Sequence, residues 1–62
     1  MNLKLKFRIL KFYGTQAVFG AASGLGENLI SRTITGRQTP AKQEKELICR
    51  KLKIKNPEDY FK

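Results

Sequence analysis

A chain of 62 residues with 13 Lys and Arg, 5 Asp and Glu and no His carries a formal charge of +8, and Cys49 is its only cysteine. An intramolecular disulfide and a zinc finger are excluded, and with carboxylates scattered among lysines no enzyme, metal site, cofactor or small-molecule substrate is expected. Below about 70–80 residues a lone core rarely supplies more than roughly 3–5 kcal/mol, so the chain is expected to lean on a membrane, a protein or a nucleic acid.

Residues 1–11 (MNLKLKFRILK) form a basic N-terminal segment without an acid. Lys4, Lys6 and Arg8 alternate with Leu3, Leu5, Phe7 and Ile9, a strand pattern when taken alone. Leu3, Phe7 and Leu10 also share a helical face, and a lone strand would leave its ladder groups unpaired, so helix or irregular chain is favoured over strand. The long lysines can snorkel toward a phosphate surface. A basic start without acids is also compatible with a mitochondrial targeting signal.

Residues 12–26 (FYGTQAVFGAASGLG) carry no charge. Extended through Ser31 as one helix, the stretch 12–31 reaches about 30 Å at 1.5 Å per residue, the thickness of a bilayer hydrocarbon core. Gln16, Glu27 and Asn28 lower its hydropathy and suit it to packing against other membrane helices. Gly14, Ala17, Ala21, Gly24, Asn28 and Ser31 recur at spacings of three and four on one flank, and Gly20 with Gly24 adds a small-xxx-small pair that lets two membrane helices approach closely. In water, each interior glycine would cost about 0.8–1 kcal/mol relative to alanine. The expectation is therefore an all-α chain with a single transmembrane helix at 12–31, whose packing residues are Gly14, Ala17, Gly20, Ala21 and Gly24. The other reading of the same residues is a flexible Gly-rich loop, AASGLGE, between two shorter elements.

The run GENLISRTITGR, residues 26–37, resembles the end of the membrane helix in subunit g of the mitochondrial F-type ATP synthase. The matching residues are Gly26, Glu27, Leu29, Arg32, Ile34 and Gly36. Polar Asn28 and Thr35 stand where that family is apolar, the segment before the membrane is shorter, and the charged C-terminal extension has no counterpart. The resemblance implies a non-catalytic accessory subunit of the mitochondrial inner membrane. Such a subunit packs beside a subunit e-like helix and supports ATP synthase dimers and cristae curvature. Glu27 either pairs with a cation, of a neighbour or of Arg32, or marks the interfacial end of the helix. Arg32 and Arg37 are interfacial anchors that meet anionic headgroups, cardiolipin included.

Residues 32–39 read as an interfacial loop and 40–62 as a charged extramembrane helix and tail. Thr39 is a suitable N-cap, Pro40 fits the first helical position, and Ala41 through about Lys55 forms a helix that Asn56-Pro57 ends. Ala41, Ile48 and Leu52 make a narrow stripe with Leu47 beside it, suited to docking on a neighbour rather than to building a core. Arg50, Lys51, Lys53 and Lys55 lie toward the helix C-terminus, where the backbone dipole favours cations. Cys49 reads as a small apolar residue.

Two further readings compete. An accessory subunit of another inner-membrane respiratory complex would share the membrane helix. A small basic mitochondrial ribosomal protein would instead use the +8 charge on rRNA phosphates, with Tyr13, Tyr60 and the phenylalanines stacking on bases.

Overall fold

A computed structural model describes residues 1–61, so Lys62 at the end of the charged tail lies outside the described residues. They form four α-helices, α1 (Leu3–Tyr13), α2 (Gln16–Ser23), α3 (Glu27–Thr35) and α4 (Lys42–Leu52), then a 3-10 turn at Pro57–Asp59.

The all-α expectation therefore stands, but the single transmembrane helix does not. Among the described residues no helix is long and apolar enough to cross a membrane. The stretch 12–31 is cut into the end of α1, all of α2 and the first part of α3. With 8 and 9 residues, α2 and α3 each reach only about 12–14 Å, against about 30 Å of hydrocarbon. The physical reason lies in the glycines. Gly14, Gly24 and Gly26 have φ of +87°, +76° and +91°, a region that side chains avoid and that ends helices. What reads as a small-residue flank of one helix is punctuation between three.

Each helix begins and ends for local reasons. Asn2 caps α1 by accepting from the Leu5 N–H at 3.0 Å, and Thr15 caps α2 by accepting from Val18 at 3.1 Å. Helix α4 starts at Lys42, past the Thr39-Pro40 signal, because Glu44 reaches back to the Ala41 N–H at 2.8 Å. It ends at Leu52, short of Asn56-Pro57. Lys53 there adopts φ +56°, with Lys53 N–H donating to Arg50 O and Ile54 N–H to Cys49 O, the paired bonds of a Schellman end.

Seven fully buried side chains form one core: Leu5 and Ile9 of α1, Phe19 of α2, Ile30 and Ile34 of α3, Ile48 and Leu52 of α4. Tyr13, Leu25, Ile54, Tyr60 and Phe61 pack around it. The chain thus builds a tertiary core of its own, where the sequence suggests a docking stripe. The α4 stripe is shared with the other helices, and Ala41 stays exposed. In α1 the inward face is Leu5 and Ile9, whereas Leu3 and Phe7 are 48% and 61% exposed. The radius of gyration, 10.0 Å, is that of a folded chain of this length, near about 10–11 Å from size scaling.

Long-range polar bonds lock α1 to α4. Arg8 donates from Nε to Leu52 O and from Nη2 to Lys53 O, each at 3.0 Å, and the Tyr13 hydroxyl donates to Lys51 O at 3.1 Å. A cation thus meets the orphan carbonyls at the negative end of α4. Arg8 also lies over the Phe12 ring, 4.8 Å from its centroid. Asn2 ties the N-terminus to α3 and the tail, its N–H donating to Ile34 O at 2.6 Å and its side-chain amide donating to Tyr60 O.

Candidate nucleic-acid interface

Helices α2 and α3 are joined by the three residues Gly24-Leu25-Gly26. Gly24 closes α2 in the left-handed conformation, and Gly26 opens α3 at φ +91° and ψ 149°. Gly26 N–H donates back to Gly20 O at 3.1 Å. The buried Ser23 hydroxyl bridges the turn, donating to Gly20 O at 3.3 Å and accepting from Leu25 N–H at 3.4 Å. Leu25 closes the turn against the core.

The junction is set by Gly20. A Cβ there would lie 2.6 Å from Glu27 N and 2.7 Å from Gly26 C. Both are backbone atoms and cannot swing aside. The start of α3 therefore rests directly on the backbone of α2, and the pair behaves as one unit: a helix, a tight turn and a second helix.

This pairing sorts the side chains of α3. Ile30, Thr33 and Ile34 face the core, and Thr33 satisfies its buried hydroxyl by donating to Leu29 O at 2.8 Å. On the other side, Asn28, Arg32 and Thr35 are exposed and Ser31 is half-buried. At 100° per residue these four share one face of about 100°. Every member is a hydrogen-bonding side chain, and only Arg32 is charged. Glu27 borders the face at its N-terminal end, exposed in the first turn. Gly36 and the Arg37 and Gln38 N–H groups, both donating to Arg32 O at 3.0 and 3.3 Å, end the helix sharply.

Exposed cations follow this face in the chain: Arg37, just past α3, and Lys42, at the start of α4. The N-terminus of α2, with exposed Thr15 and Ala17, adds main-chain N–H groups. Other basic residues are engaged within the fold: Arg8 on the end of α4, Lys4 over the Tyr60 ring at 5.0 Å and Lys45 over Phe61 at 6.0 Å. Burial raises the Cys49 thiol pKa above its usual value, which keeps the group protonated and inert.

The residues that the sequence singles out fall in two groups. Of Gly14, Ala17, Gly20, Ala21 and Gly24, only Gly20 is buried; it does take a close helix contact, with α3 of the same chain. Gly14 and Gly24 are helix-end residues, and Ala17 and Ala21 are exposed. Glu27, Arg32 and Arg37 are all exposed, on or beside the polar face of α3. Asn28 and Ser31 are read from the sequence as part of the small-residue flank, and Thr35 is given no role. Their signal is the spacing 28, 31, 32, 35 of polar side chains opposite Ile30 and Ile34. No protein-family model matches the chain, and comparison with curated proteins and with solved structures finds no match.

Proposed function

We propose that the chain is a double-stranded DNA-binding module of the helix-turn-helix kind, with α2 lying across the phosphates and α3 entering the major groove. The observation that carries this reading is the solvent face of α3, built from Asn28, Ser31, Arg32 and Thr35 on a helix fixed by the Gly20 junction. A helix about 10–12 Å across fits the roughly 12 Å major groove of B-DNA. The deep, narrow major groove of A-form RNA does not admit one. Duplex DNA is thus favoured over the rRNA that the charge alone allows.

The surrounding groups suit phosphate contacts, which fix register without reading sequence. Val18 N–H donates to Thr15 Oγ1 and Phe19 N–H to Thr15 O, leaving those of Gln16 and Ala17 for an anion at a helix start. Arg37 and Lys42, both exposed and following α3 in the chain, supply charge. The net +8 steers the whole chain toward a polyanion. Membership of an ATP synthase membrane sector depended on a spanning helix over 12–31, and those residues form short helices around turns; that reading loses its physical premise.

Fluorescence anisotropy with a labelled 20-base-pair DNA duplex and an RNA duplex of the same sequence tests the proposal. Binding to DNA should weaken linearly in log affinity against log salt, with Arg37→Ala and Lys42→Ala each reducing the slope by about one. Absence of DNA binding at low salt, or equal affinity for the RNA duplex, would overturn it.

A further inference from the structure

The face of α3 differs in reach and chemistry from end to end, and that gradient bears on which bases it can read. Resting on the duplex-binding proposal above, we infer that Asn28 and Arg32 are the two sequence-reading residues, Asn28 taking an adenine and Arg32 a guanine about two base-pair steps away.

A helix in this motif presents its N-terminal residues to the base edges. Asn28 is the second residue of α3 and is exposed, so its short side chain sits where little reach is needed. Its amide is both donor and acceptor, matching the N6 and N7 edge of adenine bidentately. Arg32 lies one turn later on the same face, also exposed. With the N-terminal end seated on the base edges, the axis at Arg32 would stand farther from the groove floor, and the longer guanidinium would cover the difference. It offers donors only, matching the O6 and N7 acceptors of guanine.

Four residues along a helix advance about 6 Å, close to two base-pair steps of roughly 3.4 Å each. Ser31 and Thr35 have short hydroxyls; Ser31 is half-buried and Thr35 already donates to Arg32 O at 3.2 Å. Neither discriminates a base as a bidentate group does. Among the described residues Arg32 has no side-chain hydrogen-bond partner, unlike Arg8, whose guanidinium is held by two carbonyls.

Selection from a pool of duplexes with a randomised 12-base-pair window, using the full chain, N28A and R32A, decides the matter. The unaltered chain should enrich sites holding an adenine and a guanine two steps apart. N28A should lose preference at the adenine alone and R32A at the guanine alone, each discrimination falling by about 5- to 150-fold. Circular dichroism and thermal melts of both variants should match the unaltered chain, since both positions are exposed. Retention of duplexes without enrichment, or a motif that both variants leave unchanged, would overturn the assignment while leaving duplex binding intact. No retention of any duplex would overturn the assignment and the binding proposal together.

Discussion

The α2–α3 pair and the α1–α4 pair are held by opposite means. Helices α2 and α3 are joined by backbone against backbone, with Gly20 under the first turn of α3 and glycines at both ends of the turn. Helices α1 and α4 are far apart in sequence and are joined by side chains, Arg8 and Tyr13 of α1 reaching the carbonyls that end α4. The first junction has no adjustable part; the second is made of long side chains that can shift. The proposed site, which would hold Asn28 and Arg32 in one geometry, sits on the rigid junction, while the flexible one closes the core. Substitutions that separate the two should therefore split loss of the site from loss of stability.

The largest effect is expected at Gly20. In Gly20→Ala the new Cβ meets backbone at 2.6 and 2.7 Å, so α3 must move off α2. Overpacking of this kind costs about 1–3 kcal/mol or more, most of what a domain this small has to spare. A thermal melt followed at 222 nm should show a transition lowered by about 4–24 °C, or lost. DNA affinity should fall even at temperatures where helix remains. The contrasting variant is Gly24→Ala, where no atom lies within 4 Å of a Cβ and only the positive φ is strained, at about 1–2 kcal/mol. If Gly20→Ala melted like the unaltered chain, the backbone contact would not be what joins the helices.

Next is Arg8→Ala, which removes the side-chain link between α1 and α4 and leaves Leu52 O and Lys53 O without these donors. Hydrogen bonds to a charged group contribute about 1.5–3 kcal/mol; partial exposure of Arg8 argues for the lower end, about 1.5 kcal/mol. A urea titration should show the midpoint lowered with the slope unchanged. DNA binding measured well below the transition should stay within about twofold of the unaltered chain, apart from the loss of one charge. Loss of binding in the fully folded variant would show that the clamp also sets the α3 geometry.

Part of this division can be read from the sequence. The C-terminal helix is announced by Thr39-Pro40 and by the Ile48/Leu52 spacing, with boundaries displaced by the Glu44 cap and by Lys53. The α1 pattern fits both strand and helix because apolar residues occur on two helical faces; the alternation conceals that Leu5 and Ile9 are inward and Leu3 and Phe7 outward. The central stretch is misjudged because glycine spacing is the same whether a glycine lies within a helix or ends one. Only φ distinguishes Gly20, where a side chain has no room, from Gly24 and Gly26, where the chain must turn. The loop AASGLGE between two shorter elements is the alternative closer to the observed structure, and its turn is tight rather than flexible. Arg32 and Arg37 are recognisable as surface groups from charge alone. Asn28 looks out of place among apolar residues until α3 is seen to have a polar face of its own.

Lys53 offers a smaller effect that sharpens the contrast between the glycine-ended helices and α4. Helices α1, α2 and α3 end on glycine, whereas α4 ends on Lys53 at φ +56°, a conformation that costs a residue with a Cβ about 1 kcal/mol. Lys53→Gly keeps the carbonyl that accepts from Arg8 and removes that strain, partly offset by the greater freedom of glycine in the unfolded chain. The expected outcome is a gain of up to about 0.5–1 kcal/mol in a urea titration. No change, or a loss, would mean that the lysine side chain contributes something its backbone strain conceals.

The smallest effect is invisible at neutral pH and concerns Cys49 on the inner side of α4. Burial raises its thiol pKa above the usual 9.0, because the thiolate is poorly solvated there. The unfolded chain ionises first as pH rises, so it binds fewer protons than the folded chain in that interval. The stability contributed by the neutral thiol is complete below the unfolded pKa and falls as pH rises from there toward the raised folded value. The comparison is with Cys49→Val, which keeps an apolar side chain of similar size and leaves every other ionisable group in place. The difference in melting temperature between the two chains should be constant from pH 6 to 8 and should shift in favour of the valine variant above about pH 9. A difference that stays constant through pH 10.5 would show that Cys49 ionises alike in the folded and unfolded chains, and that α4 is less closed on its inner side than its packing implies.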